Sequence, residues 1–176
     1  PTNVISITDG QIILDADLFN RNIRPAVDVG QSVSRVGGAA QAPAMRKVAG
    51  QLKLDLSQYQ EVSRFARFGT EVDEATQRQI ARGQRLERAL TQPEHQPLLL
   101  AEQVAVLFAV TEGYLDDIML DNVREFERGL LQFLQAESQA LLAEINREGE
   151  LGDEMRAELV RAIEAYRAGW NEDRGE

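Results

Sequence analysis

From Met45 to Trp170 the apolar residues of this chain return every three or four positions, a period that a helix satisfies and a strand does not. Met45, Val48, Leu52, Leu56, Tyr59, Val62 and Phe65 make the first stripe. Phe68-Gly69 stops it, and Asp73 is placed to cap a second helix, roughly 73–91. Only Ile80, Leu86 and Leu90 are its apolar residues, the pattern of a surface helix. After Pro93 and Pro97, residues 98–115 are dense in apolar side chains around Val104, Leu107, Phe108 and Val110, and this helix is expected to be the buried one. Asp121 is placed to cap a stripe of Val123, Phe126, Leu130, Phe133 and Leu134 that continues through Leu141, Leu142 and Ile145. Gly149 and Gly152 end it, and Asp153 opens a last helix with Met155, Leu159, Ile163, Tyr166 and Trp170 on one face.

Before residue 45 the pattern is different. Val4, Ile5 and Ile7 precede Asp9-Gly10, and Ile12, Ile13 and Leu14 follow it, which predicts a β-hairpin turning at the Asp-Gly pair. Residues 15–44 then carry Asp15, Asp17, Asn20, Asn22, Pro25, Gly30, Gly37, Gly38 and Pro43, which interrupt either period. A loop of that length with apolar residues mixed in points to function. The fold class is therefore mainly α: a helical bundle over 45–176, preceded by a short αβ piece over 1–44.

Composition narrows the chemistry. With no Cys and one His, His95, there is no disulfide framework, thiolate metal site, Cys nucleophile or multi-His metal cluster. His95 itself reads as a solvent-facing loop residue. The net charge of -10 is unevenly placed: residues 1–100 carry 12 Lys and Arg against 11 Asp and Glu, and residues 101–176 carry 7 against 18. Such a surface cannot replace phosphate counterions, so nucleic acid is not an expected partner. No apolar run approaches the ~20 residues of a membrane span. Neither G-x-x-x-x-G-K-[ST] nor G-x-G-x-x-G occurs, so nothing in the chain cradles a triphosphate and it is expected to be inactive alone. The start at Pro1, without Met, reads as a cut within a longer protein.

The informative stretch is Pro25-Ala26-Val27-Asp28-Val29-Gly30-Gln31-Ser32-Val33-Ser34, followed by Arg35-Val36-Gly37-Gly38-Ala39-Ala40-Gln41. It resembles the signature of the F-type ATP synthase α and β subunits, and the Arg-Val-Gly-Gly-Ala-Ala-Gln run is similar to the α subunit. Residues 1–12, Lys53-Leu54-Asp55-Leu56-Ser57-Gln58-Tyr59, Arg82-Gly83-Gln84-Arg85-Leu86 and Gly113-Tyr114-Leu115-Asp116 are similar to that subunit too, in order and spacing.

The resemblance implies the C-terminal part of an α subunit: residues 1–44 as the last strands of a P-loop type nucleotide-binding domain, and 45–176 as the helical domain. It implies ATP or ADP with Mg²⁺ in the intact complex, the metal held by residues outside this chain. Partners would be the β subunits, the central rotor shaft and other synthase subunits. The place would be the cytoplasmic face of a bacterial plasma membrane, within a peripheral complex that couples ion transport to ATP synthesis or hydrolysis. By position, Arg35 matches the arginine finger that reaches into a neighbouring β catalytic site, and Ser6 a residue near the catalytic nucleotide. Arg24, Pro25 and Gln92 match positions lining the α subunit's own non-catalytic adenine pocket, with Phe19 beside them. Glu94 departs from the pattern, standing where many α subunits have Gln. The alternative is a standalone helical interaction module without a catalytic role.

Overall fold

The computed structural model describes residues 7–50, 52–66 and 73–174, side chains excepted at 64–66 and 172–174. In chain order the elements are β1 (Gly10–Gln11), α1 (Ala16–Asn20), β2 (Val33–Ser34), α2 (Gly37–Ala40), α3 (Pro43–Ala49), α4 (Leu52–Ala66), α5 (Glu74–Ala89), α6 (Leu100–Thr111), a 3-10 turn (Leu120–Asn122), α7 (Val123–Glu137), α8 (Gln139–Glu148) and α9 (Asp153–Arg174). The chain is thus mainly helical, with a small two-stranded sheet. Among the described residues no helix is long and apolar enough to cross a membrane. Two compact units form, one from residues 1–41 and 50–96, the other from 42–49 and 97–176.

In the first unit, α4 packs on α5. Asp73 caps α5 as its sequence position predicts, its carboxylate accepting the Thr76 N–H at 2.7 Å; hydrogen bonding from the Thr76 side chain, and then from that N–H, holds the carboxyl below its usual range. The stripe of α5 is narrow, with Leu86 and Ala89 buried and Ile80 and Leu90 partly exposed. Gly83 is buried against Tyr59 of α4, and a Cβ there would lie 2.2 Å from the ring's Cγ. The expected Asp-Gly hairpin is corrected by the sheet. Its first strand falls largely on residues 1–6, outside the described residues, and β1 pairs antiparallel with β2, Gly10 opposite Ser34 and Gln11 opposite Val33. Asp9 and Gly10 lack the positive φ that a type I′ turn requires. Gly10 is instead a site of close approach, where a Cβ would meet the Val33 carbonyl oxygen at 2.1 Å. The segment 15–44 is also more regular than its composition suggests, containing α1, β2 and α2.

In the second unit, α6 is buried over most of its circumference, Ala101, Val104, Ala105, Phe108, Ala109 and Val110 each at most 2% exposed, while Leu100, Gln103, Leu107 and Thr111 form a partly exposed face. It is covered by α3, α7 and α8. Its N-terminus is closed by polar groups, Glu102 Oε2 accepting the Leu99 N–H at 2.8 Å and Asn146 Oδ1 accepting the Ala101 N–H at 2.9 Å. Phe126 on α7 packs edge-on against Tyr166 and Trp170 of α9, at centroid distances of 5.1 and 5.3 Å. Gly149 ends α8 at φ +66, the left-handed cap its position suggests, and its carbonyl accepts the Ala44 N–H of α3.

Three expectations from the periodicity are corrected. The stripe from Met45 to Phe65 is two helices, α3 and α4, interrupted near Gly50 and belonging to different units. Phe68-Gly69 lies outside the described residues. The stripe from Val123 to Ile145 is also two helices, parted at Ser138 (φ -133, ψ 33). Asp121 sits inside the 3-10 turn, and Asn122 precedes α7 without a side-chain cap. At Ser138 the apolar spacing passes through the break because α7 and α8 both keep one face on the core of the second unit, whereas α3 and α4 each belong to their own unit.

Two substitutions test this packing. In Gly83→Ala the gain in helix propensity, about 1 kcal/mol, is set against overpacking of the Tyr59 ring root, about 1–3 kcal/mol. The clash involves Cγ and Cβ, not a flexible tip, so a net loss is expected, seen as a lower thermal midpoint. A midpoint at or above wild type would contradict the packing. Glu127 of α7 is half-buried, and burial pushes its carboxyl from 4.5 up to about 7, opposed by Arg124. Between those two values the folded chain holds a proton that the unfolded chain has lost, so stability is highest below the lower value and falls as pH rises through the window. Glu127→Gln should flatten that slope and stabilise the chain by on the order of 1–2 kcal/mol above pH ~8, with little change near pH ~4. Denaturant titrations across pH check both signs.

Candidate functional site

The segment from Ile13 to Gln41 is shaped by side chains that bond backbone. Asp28 makes an Asx-type turn, its carboxylate accepting the Gln31 backbone N–H at 3.0 Å and the Gln31 Nε2 at 2.6 Å. Ser32 Oγ donates to the Asp28 carbonyl and accepts the Ile13 N–H at 3.0 Å. Lys53 Nζ on α4 reaches the Ser32 carbonyl at 2.9 Å, and Ser34 Oγ accepts the Gly37 N–H at 2.8 Å. The Asp and the two Ser of the motif therefore pin the loop. Sequence reading took them as part of a signature without assigning that task, although an Asp three residues before its acceptor's N–H donor is the usual mark of such a turn.

Arg35 follows directly. Its backbone N–H donates to the Asp9 carbonyl at 2.8 Å, fixing it beside the β1–β2 pair. Its side chain is exposed, and its guanidinium has no ion-pair partner among the described residues. Gly37 and Gly38 do not turn the chain through positive φ. Gly37 is required for space, since a Cβ would lie 2.6 Å from Ser34 Oγ, whereas Gly38 has open surroundings.

A second group gathers around α1. The Arg24 guanidinium lies 4.4 Å over the Phe19 ring, the Arg24–Pro25 peptide is cis, and the Gln92 N–H donates to the Arg24 carbonyl at 2.8 Å. Four of the sequence-predicted residues, Phe19, Arg24, Pro25 and Gln92, thus share one corner, and Phe19 is 53% exposed there. The corner rests on Arg21, paired with Glu87 of α5 at 3.1 Å. Tyr59 is close to both, and burial, with Glu87 second, raises its phenol above the usual range. A stacked guanidinium and ring, both exposed, form a flat ledge on which a planar heteroaromatic ring can lie. Among the described residues no hydrogen bond or ion pair joins the Arg35 side chain to this corner. Ser6 lies outside the described residues, and Glu94 is solvent-facing beside His95, 3.5 Å away. His95 is exposed, as its sequence suggests.

Residues 41–166 match the family described as ATP synthase alpha/beta chain, C terminal domain, and residues 1–34 match ATP synthase alpha/beta family, nucleotide-binding domain. The chain belongs to the ATP synthase alpha/beta family. Within that family the similarity runs to alpha: over 170 residues the chain is 51% identical to ATP synthase subunit alpha of Dehalococcoides mccartyi, covering 96% of this chain and 34% of that one. The chain spans about a third of the length of the curated relative it matches. In this alpha/beta chain the pinned loop carrying Arg35 straddles the end of the nucleotide-binding match, the helices α3 to α8 fall within the C-terminal match, and α9 begins inside it and runs past its end.

The pinning of the loop has a direct test. Ser32→Ala leaves the Ile13 N–H without its acceptor, and exchange at that amide should quicken by about tenfold or more, given the ~1–3 kcal/mol attached to an unpaired donor. Unchanged exchange at Ile13, read by amide hydrogen exchange, would show that the hydroxyl does not hold the loop.

Proposed function

We propose that this chain acts within an ATP synthase alpha subunit by delivering Arg35 as an arginine finger, in trans, to the catalytic site of a neighbouring beta subunit. The observation that carries the reading is the contrast at Arg35: a backbone pinned by Asp9, Asp28, Ser32 and Ser34, and a guanidinium exposed without an ion-pair partner among the described residues. A pre-positioned cation does not reorganise when charge develops, which is what phosphoryl transfer requires. The transition state spreads negative charge over the equatorial oxygens, and a planar fork can donate to two of them while remaining charged. Ser6 is assigned to the neighbourhood of the same nucleotide.

The ledge of Phe19, Arg24, Pro25 and Gln92 is assigned to the adenine of a non-catalytic nucleotide on alpha itself. ATP or ADP would be held mainly by residues outside this chain, because no phosphate-cradling loop occurs in it. The Mg²⁺ accompanying the nucleotide is assigned to residues outside this chain as well, as the resemblance implies. Residues 1–44 then carry the nucleotide-facing chemistry, and residues 45–176 the contacts to rotor shaft and other subunits. Ile7, Ile12 and Leu14, each more than 70% exposed, support an assembled setting, since apolar surface of this kind marks a face made for burial. The assembly is proposed to sit peripherally on the cytoplasmic face of a bacterial membrane and to couple ion transport to ATP synthesis or hydrolysis.

Arg35→Lys in the assembled complex tests the finger. Lys keeps the charge and loses the bidentate fork, so the interaction removed is one made mainly in the transition state. Complex yield and nucleotide affinity should stay near wild type, while kcat and kcat/KM fall together by on the order of 10² or more. Near-normal turnover in a fully assembled complex would overturn the assignment and favour a helical module whose role is structural.

A further inference from the structure

Ser32 is the hub of the loop that carries Arg35. Its hydroxyl donates to the Asp28 carbonyl and accepts the Ile13 N–H, and its own N–H donates to the Asp28 carbonyl at 2.9 Å. The polar group that remains is its carbonyl, and a residue from outside the loop takes it: Lys53 of α4, whose Nζ donates at 2.9 Å. Val33, the next residue, is already paired in β2, and the Arg35 N–H is held by the Asp9 carbonyl. Lys53 therefore grips the chain three residues before the guanidinium, and Asp9 grips it at the guanidinium's own backbone.

The helix itself gives no reason for a lysine at this place. Lys53 is the second residue of α4, where the helix dipole disfavours a cation, and its side chain is exposed. What its ammonium gains is the charge-assisted bond to Ser32. A second residue of α4 reaches the same loop. Gln60 follows Lys53 by seven residues, two helical turns, so both stand on one face, and a Cβ at Gly30 would lie 3.1 Å from Gln60 Oε1. Leu56, between them on that face, is 5% exposed. The loop is thus set against α4 at Gly30 and at Ser32. Ser32 falls in the nucleotide-binding match and Lys53 in the C-terminal match, so the bond joins the two family regions within one compact unit.

We infer that Lys53 is a positioning residue for Arg35: by holding the Ser32 carbonyl it fixes the register of the loop on α4, and with it the point from which the guanidinium is presented. Lys53 touches no nucleotide in this role and acts through Arg35. The role rests on the arginine-finger reading of Arg35.

Lys53→Met keeps most of the stem and removes the donor, and Lys53→Arg supplies a donor again. In the full 176-residue chain, Lys53→Met should quicken hydrogen exchange at the Ile13 and Arg35 amides by about 3–5-fold, the size expected of one exposed charge-assisted bond. The Leu90 amide in α5 and the Val110 amide in α6 should not change, and Lys53→Arg should keep the wild-type rates. In the assembled complex, ATP hydrolysis by Lys53→Met should show kcat lowered about 3–10-fold with KM within about twofold of wild type, because the interaction weakened is one made mainly in the transition state. Lys53→Arg should restore kcat. Adding Lys53→Met to Arg35→Lys should slow turnover no further than Arg35→Lys alone, since both act through one side chain. Unchanged exchange at Ile13 and Arg35, or an equal rise at Leu90, would overturn the role. So would wild-type kcat in Lys53→Met beside a slowed Arg35→Lys, or fully additive losses in the double variant. Near-normal turnover in Arg35→Lys itself removes the finger reading, and the positioning role with it, so the variant that fails to slow tells the two apart.

Discussion

A helix that is apolar over most of its circumference has to be covered over most of it, and α6 imposes that condition on the second unit. With Ala101, Val104, Ala105, Phe108, Ala109 and Val110 buried and only the face of Leu100, Gln103, Leu107 and Thr111 partly exposed, a single neighbour would not suffice. α3, α7 and α8 close around it, and α9 in turn completes α7 through the Phe126, Tyr166 and Trp170 rings. The polar ends of α6 are bonded from the same neighbours, through Asn146 of α8, so covering its sides also closes its terminus. Most acidic side chains of this unit face outward, Glu127 being the exception, whose carboxyl is pushed up by burial.

The first unit is organised on a different principle. Apart from the α4–α5 pair it has little core, and Ile12, Leu14, Val33 and Val36 are about half exposed or more. Its order comes from directed hydrogen bonds, Asp28 and Ser32 to backbone, Lys53 to a carbonyl, Ser34 to the Gly37 amide. Such bonds fix a loop without enclosing it, which suits a segment whose proposed task is to hold one guanidinium outward. The division of labour is therefore physical: burial builds the helical unit, and local polar bonding shapes the loop that carries Arg35.

The helices were legible because their period is a consequence of burial, and α6 and α9 begin within two residues of where the pattern puts them. The breaks were not, because Ser138 and Gly50 interrupt the backbone while the apolar stripe runs on. The turn expected at Asp9-Gly10 does not form, and among the described residues the partner of β1 lies more than twenty residues away in β2, a long-range pairing that turn chemistry does not announce. At the candidate site, family resemblance pointed to Phe19, Arg24, Pro25 and Gln92, and the fold brings them to one corner, yet their spacing in the chain carries no sign of it.

The central claim is that Arg35 meets a nucleotide bound to another subunit. The most direct measurement is a structure of the assembled alpha–beta complex with ADP and a fluoride mimic of the transferring phosphoryl group. The account predicts the Arg35 guanidinium within hydrogen-bond reach of that mimic, about 2.7–3.1 Å from its equatorial atoms, across the subunit boundary. A guanidinium folded back onto a carboxylate of its own chain, with the mimic fully coordinated by the other subunit, would contradict it.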